Sequence, residues 1–491
     1  MRHDEDRNIK KINKVRKRIN TGRIINKDIL KVYLFFAALF TAIIVFMVCF
    51  LLFDASRIIN NSYNSRSDIL SETVTRGSIL ADGLEVLAYT QTDAQGNETR
   101  VYPYSDIFAH AVGFDSKGRL GLESSYNFYL LTSHAGIFEK IVNEFNGQKN
   151  PGDNIKTSLS VDLQSYIYDI LGYNNAAVVC MDPETGQIKA MVSKPDFDPN
   201  YIDIIWDDIV NDEGNSVLLN RCTQGLFTPG STFKIFTLYE FLKEQPDAMY
   251  SFAYNCTGSI KVGDTSISCF YGAHGDQDLL MSFANSCNCA FAKIGSQLDI
   301  QRFRITASKL LFDTDLPVDI SSYKSKFTLV PDDSEFDIMA TAMGQGNTQI
   351  SPMHLTMITA AIANEGICMR PKLADAVLDH NGNVVKNINK EEYRRLFTSD
   401  EAGILKDFMR AVVTQGTAGT VYPGSFVAYG KTGTAQKERE NGSEYDHSWF
   451  TGWAENNGKK LAVSVILEDM DSSGTTAAYI AKLIFDRYFT E

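Results

Sequence analysis

The 491-residue sequence contains no internal repeat and no low-complexity tract, which excludes solenoids, propellers and compositionally disordered arrays. It lacks a basic excess: 47 Lys and Arg face 60 Asp and Glu, a formal charge of −13, so binding of nucleic acid by bulk charge is excluded. Eight cysteines are few for an exported disulfide scaffold. Cys49 lies in an apolar run and Cys180 in "AAVVCM", and both read as inert packing residues. Cys256 and Cys269 bracket "CTGSIKVGDTSISC" and can be bridged if the compartment is oxidising. Cys287 and Cys289 complete no metal-binding spacing, because His274 is the only nearby imidazole and a second finger-type pair is missing. They are expected to be free thiols, and neither a metal nor a cofactor is expected.

What the sequence does have is one long apolar run. Val32 to Phe53, "VYLFFAALFTAIIVFMVCFLLF", is 22 residues without a charge, and a bilayer needs about 20. The apolar core of a secretory signal is shorter, roughly 7 to 15 residues, and no small-residue cleavage pattern follows, so the run reads as an uncleaved anchor. Residues 1–31 carry eleven Lys or Arg against Asp4, Glu5, Asp6 and Asp28, a net of +7. By the positive-inside rule this basic segment is cytoplasmic and everything after residue 53 is outside. Subtracting +7 from −13 leaves −20 on the exported part.

Residues 54–152 are polar and mixed, with strand-like pieces such as "GLEVLAYT", and read as a small pedestal between the membrane and a larger domain spanning 153–491. Asn150 to Leu171 reads as a strand followed by a helix, and Ala176 to Ser193 as a β-hairpin. The middle, Ser231 to about Asn364, reads as helical and loop-like. Strand signals return in "VAYGKTGTAQ", "HSWFTGWAE" and "KLAVSVILED", and an amphipathic helix from Thr475 to Phe489 closes the chain. Strands at both ends with helices between imply an α/β domain with one mostly antiparallel sheet flanked by helices.

Within "TPGSTFKIFTLYEFLK" a helix with almost no polar face carries Lys234 one turn after Ser231. Pro229 and Gly230 mark a turn, so Ser231 stands at or near the first helical position. A capping hydroxyl with a lysine snorkelling to the surface is one reading. A nucleophile with its base is the other, since a spacing of three puts both on one face. Two further groups extend the second reading: Ser286 with Asn288, and Lys431-Thr432-Gly433. Ser321 with Lys324, Ser62 with Asn64 and Ser125 with Asn127 match the same spacings, but order and context single out the first set. Only Ser231 opens an apolar helix, and the Lys-Thr-Gly run lies on a strand-like stretch.

Such a set has a definite chemistry. A buried lysine can fall to a pKa of about 5 to 6 and, when neutral, take the proton of Ser231. The hydroxyl then attacks a carbonyl, whose oxyanion needs fixed donors: the Ser231 N–H and, from a facing strand, the Thr434 N–H. Lys431 is expected to be a fixed cation for a substrate carboxylate, with the Thr432 and Thr434 hydroxyls beside it. Ser286 and Asn288 would relay a proton and hold the substrate amide. A free strand edge at Lys431 to Thr434 would accept an extended peptide.

These motifs, with "TRGSILADGLEVLA", "AHAVGF", "GLESSYNFYL", "KPDFDPN", "SCNCAFAKIG" and "MGQGNTQISP", resemble those of class B penicillin-binding proteins, the membrane-anchored D,D-transpeptidases of peptidoglycan synthesis. Departures are Ala81-Asp82-Gly83 for the usual Asp-Arg-Asn-Gly, Cys222 where alanine is common, and a short pedestal. The resemblance implies the penicillin-binding transpeptidase fold, a five-stranded sheet plus a helical subdomain. It implies Ser231, Lys234, Ser286, Asn288 and Lys431 as catalytic residues and Thr432, Gly433 and Thr434 as substrate-binding residues. Stem peptides ending in D-Ala-D-Ala, β-lactams as trapping ligands and a SEDS-type glycan polymerase as partner follow from it as well. A hydrolytic β-lactamase is disfavoured, because no Glu-x-x-x-Asn occurs between Asn288 and Lys431. A D,D-carboxypeptidase, or a scaffold that activates a polymerase, stays open as an alternative.

Overall fold

The computed structural model describes residues 7–14, 27–50, 66–212, 214, 216–421, 424–438, 444–470 and 476–490. The chain divides into two units, 1–64 and 65–491. In the first, helix α1 (Lys27–Cys49) carries no charge after Lys31, and its stretch Ile29–Cys49 is long and apolar enough to cross a membrane. Residues 51–53 of the expected span, 54–65 of the expected pedestal, and the Ser62 and Asn64 pair lie outside the described residues.

The second unit is built on two sheets. The first has six strands: β1 (Ile79–Leu80), β2 (Val86–Thr92), β3 (Glu98–Val101), β4 (Asn154–Thr157), and, from far along the chain, β7 (Ala374–Leu378) and β8 (Val384–Asn387), in the order β8-β7-β4-β1-β2-β3. β4 pairs in parallel with β1 and antiparallel with β7, so the sheet runs across the boundary expected at residue 152. Beneath it sits a buried charged network. The Arg76 guanidinium donates to the Glu123 carboxylate at 2.6 Å and to Asn127 at 2.5 Å, and Arg100 donates to the other Glu123 oxygen at 2.7 Å. Asn127, one of the discounted spacing matches, is therefore a partner of Arg76.

The second sheet has five antiparallel strands: β5 (Ala176–Met181), β6 (Ile188–Lys194), β9 (Val427–Glu438), β10 (Glu444–Asn456) and β11 (Lys459–Met470), in the order β9-β10-β11-β5-β6. Consecutive strand residues address opposite faces. The Phe450 ring meets Phe485 of helix α7 (Ala477–Thr490), while the next residue, Thr451, meets the Thr359 hydroxyl of helix α5 (Pro352–Ala363) at 3.3 Å. Helix α2 (Val161–Leu171) joins α7 on one face, and α5 packs with α6 (Ser399–Gln415) on the other. Every residue of α5 is buried, which its small and apolar sequence permits.

Helix α3 (Lys234–Glu244) runs into the helical layer, where Phe233 and Phe236 pack with Phe303, Phe312 and Phe327. The mostly helical and loop-like middle also holds strands that were not expected. Ala253–Cys256 pairs with Gly275–Asp278, and Ser259–Val262 with Thr265–Ser268 inside it, two nested hairpin ladders. Their strands are polar on the exposed side and only four residues long, too short for alternation to stand out.

Candidate active site

Ser231 lies in a single 3-10 turn, Gly230–Phe233, immediately before α3. Its hydroxyl caps nothing; the cap positions of the turn and of α3 carry no side-chain hydrogen bond. The turn abuts the edge strand β9 at glycine-dependent contacts. Gly230 has φ +54°, and a Cβ there would stand 2.5 Å from the Thr434 carbonyl oxygen. At Gly344, φ +98°, a Cβ would stand 1.6 Å from the Gly230 oxygen.

Lys234 does not snorkel. It is fully buried, and its Nζ contacts Ser286 O at 2.8 Å, Asn288 Oδ1 at 2.7 Å, Ser231 Oγ at 2.9 Å and Ser286 Oγ at 3.2 Å. The first two are acceptor-only oxygens, so they take N–H bonds. Asn288 is oriented for this because its Nδ2 donates to Ser268 O at 3.0 Å. A neutral amine then has one lone pair left, and Ser231 is the hydroxyl placed to donate to it. Burial supplies the neutral amine, lowering the Lys234 pKa to about 7.

Ser286 closes the turn between helices Leu279–Ala284 and α4 (Asn288–Gly295), at φ +54°. A non-glycine residue in that region costs about 1 to 3 kcal/mol and persists only where its surroundings hold it. Lys431, on β9, donates to Ser286 Oγ at 2.9 Å and to Thr432 O at 3.0 Å. The cation expected for a substrate carboxylate is withdrawn from solvent. Lys431 is fully buried, and desolvation together with the neighbouring Lys234 holds its pKa well below the ordinary lysine value. Its partner is a serine hydroxyl, which suits it to proton traffic.

Thr432, Gly433 and Thr434 line one side of a cleft whose other walls include Ser231, Asn288, Phe270, Tyr271, Gln345 and Thr417. Since β9 is a sheet edge, its outer side can take an added strand. Among the described residues, the five expected catalytic positions and three expected binding positions thus come together around one cleft. Sequence reasoning missed Thr417, whose hydroxyl lies 2.6 Å from that of Thr432, and Gln345, whose Nε2 donates to Thr434 O at 3.3 Å. Gln345 belongs to the quoted block "MGQGNTQISP", which was its signal; Thr417 had none. The discounted Ser321 and Lys324 are elsewhere engaged, Ser321 O accepting from Thr223 and Lys324 pairing with Asp315.

The cysteines depart from expectation at one position, Cys287. Cys256 and Cys269 are unbridged, with sulfurs 3.7 Å apart. Cys287, unlike Cys289, does not stand apart from a metal-type pattern: it joins Cys256, Cys269 and His274, with all four ligand atoms within 4.8 Å of one another. The nested hairpins, unseen in the sequence, close that set.

Residues 176–486 match the penicillin binding protein transpeptidase domain family, and residues 76–155 the penicillin binding protein A dimerisation domain. The peptidoglycan D,D-transpeptidase PbpA of Mycolicibacterium smegmatis is 29% identical over 415 residues, 80% of this chain and 84% of that protein. The peptidoglycan D,D-transpeptidase MrdA of Acinetobacter baumannii is 26% identical over 453 residues, 79% and 66% of the two chains. The structure of penicillin-binding protein A from M. tuberculosis as a penicillin G acyl-enzyme complex superposes with a TM-score of 0.74 at 26% identity, covering 85% of this chain and 99% of that one.

Proposed function

The chain belongs to the penicillin-binding protein transpeptidase family, and from that premise we infer that it is a membrane-anchored, serine-type peptidoglycan D,D-transpeptidase that β-lactams acylate. The observation that carries the residue assignment is the set of contacts at Lys234. Two oxygens that can only accept consume its N–H groups, and Ser231 Oγ stands at 2.9 Å to meet the remaining lone pair.

In this reading the stem peptide lies along β9 with its terminal D-Ala-D-Ala carbonyl at Ser231. Lys234 takes the Ser231 proton, Oγ attacks, and the Ser231 and Thr434 N–H groups hold the oxyanion. Lys431, Ser286 and Lys234 return the proton to the departing D-alanine amine. An amine from a second stem peptide then attacks the ester and restores Ser231, leaving a cross-link. Thr432 and Thr434 hold the substrate carboxylate through their hydroxyls, with Asn288 on the amide.

The same reading assigns residues 1–31 to the cytoplasm, 32–53 to the bilayer, 54–152 to the pedestal and 153–491 to catalysis. Cross-linking needs two stem peptides within reach of one serine, so a SEDS-type glycan polymerase is the proposed partner. Arg76 and Glu123 are buried and already paired, so they offer the partner no contact surface. Helix Ile137–Phe145 is better suited: Phe138 and Phe145 are 83% and 91% exposed, and Ile141 lies on the same face.

The decisive experiment maps penicillin on the full chain and analyses muropeptides on depletion. A 1:1 adduct at Ser231 and loss of cross-links are expected. An adduct at another serine, or accumulation of pentapeptides with cross-links intact, would instead favour a different nucleophile or a carboxypeptidase.

A further inference from the structure

The catalytic reading leaves four buried cysteines unused, and they form one cluster against the Ser286 turn. Two nested pairings assemble it. Cys256 lies opposite Gly275, next to His274, and the inner ladder pairs Ser259 with Ser268, so that Cys269 follows directly and donates its amide to Gly258 O at 2.8 Å. Cys287 arrives from the other side, between Ser286 and Asn288 at the start of α4.

The distances have a chemical meaning. Cys269 Sγ lies 3.7 Å from both Cys256 Sγ and Cys287 Sγ, and Cys256 Sγ lies 3.5 Å from His274 Nδ1. A disulfide requires about 2.05 Å. Tetrahedral zinc, with bonds of about 2.3 Å to sulfur and 2.0 to 2.1 Å to nitrogen, has sulfur–sulfur edges of about 3.8 Å and sulfur–nitrogen edges of about 3.6 Å. These three separations match edges of that tetrahedron, and all the ligand atoms lie within 4.8 Å of one another. Cys289 Sγ, 3.4 Å from Cys269 Sγ, is directed to the Ile267 carbonyl as well and lies outside the set of four.

We infer that Cys256, Cys269, Cys287 and His274 bind one zinc-type divalent cation, which ties the aromatic wall of the cleft to the turn carrying Ser286. Binding replaces three S–H bonds with sulfur–metal bonds and releases three protons, while neutral His274 gives its Nδ1 lone pair; no oxidant is needed. Phe270 and Tyr271 sit between two of the ligands, Cys269 and His274, and both line the cleft with Ser231. Cys287 anchors the one turn of the site held at positive φ by a non-glycine residue.

Metal binding stands apart from the catalytic reading; only its effect on acylation rests on that reading. The test uses the full chain, tag-free in detergent, with metal analysis and cobalt exchange. One zinc per chain is expected, lost in Cys256→Ser and Cys269→Ser and kept in Cys289→Ser, with thiolate-to-cobalt charge transfer in the exchanged protein. Stripping the metal should slow penicillin acylation by about 10²-fold, the scale of a roughly 1 Å misplacement, and zinc should restore it. Protein purified without metal and with its thiols reduced, or a Cys256–Cys269 disulfide trapped in cells, overturns the site. Full zinc with acylation unchanged after stripping overturns the tie to the cleft. If the serine variants fail to fold, the metal content and cobalt spectrum of the unmodified chain decide; if Ser231 is not acylated at all, metal content still tests the site.

Discussion

Lys234 and Lys431 converge on one oxygen: their Nζ atoms lie 3.2 and 2.9 Å from the hydroxyl of Ser286. Both lysines are fully buried, and each charge raises the cost of the other. A chain of two amines and a hydroxyl, with Ser231 at its end, can pass a proton without ever burying two adjacent ammonium ions.

Acylation should therefore follow the neutral form of Lys234. With a pKa held to about 7 by burial, the acylation rate constant rises as pH passes through 7 and levels off above it. Fluorescent penicillin labelling across that range measures the profile. A rate independent of pH on both sides of 7 would show that Lys234 is not the base.

Stability should carry the same signature with a defined sign. The Lys234 pKa is about 7 in the folded chain against an ordinary 10.5, so the unfolded chain binds more protons between those values and stability rises with pH across that window. The penalty is complete below about 7. Lys234→Met removes this titration but leaves Ser286 O and Asn288 Oδ1 without their donor, a cost of about 1 to 3 kcal/mol that does not depend on pH. The variant should lose acylation, and its stability relative to the parent should fall as pH rises from 6 to 10, because only the parent gains across that window. A stability difference of equal size at both pH values would show that Lys234 does not titrate in that range.

Gly344→Ala tests the close approach behind the proposed nucleophile, Ser231. Its Cβ would stand 1.6 Å from the Gly230 oxygen at a φ of +98°, so either the Gly230–Phe233 turn or the Gly344 loop must move. A loss of roughly 2 to 4 kcal/mol in denaturant unfolding is expected, with slower acylation in the fraction that stays folded. Unchanged stability would mean that this contact is looser in solution.

The three groups proposed as catalytic were legible because each is a local pattern: a hydroxyl and an amine one helical turn apart, a Ser-x-Asn at a helix start, and a Lys-Thr-Gly on a strand. The mostly antiparallel sheet was legible for a similar reason, since β5, β6 and β9 to β11 are strand-like runs separated by turn residues, while its count of five came with the family resemblance. What tertiary structure alone decides stayed hidden. The charge state of Lys431 depends on burial beside Lys234, the Thr417 hydroxyl meets Thr432 with no motif to announce it, and β7 and β8 reach back across more than two hundred residues to the pedestal sheet. The thiol cluster was invisible because the ladders that close it are four residues long and mostly polar.

The proposed polymerase contact can be tested only away from Arg76. Removing one member of a buried ion pair costs about 3 to 5 kcal/mol, so a charge reversal there would unfold the pedestal and report nothing about a partner. Helix Ile137–Phe145 offers a cleaner probe. Its polar side is tethered, Glu139 to His380 at 2.9 Å and Lys140 to Ser133 O at 2.7 Å, while Phe138, Ile141 and Phe145 face outward. Polar replacement of exposed phenylalanines should leave folding intact within about 0.5 kcal/mol. The double variant Phe138→Ser/Phe145→Ser is expected to lower glycan polymerisation by the reconstituted pair several-fold while penicillin acylation at Ser231 keeps its parental rate. Polymerisation and acylation falling together would point to misfolding, and polymerisation unchanged would remove this helix from the interface.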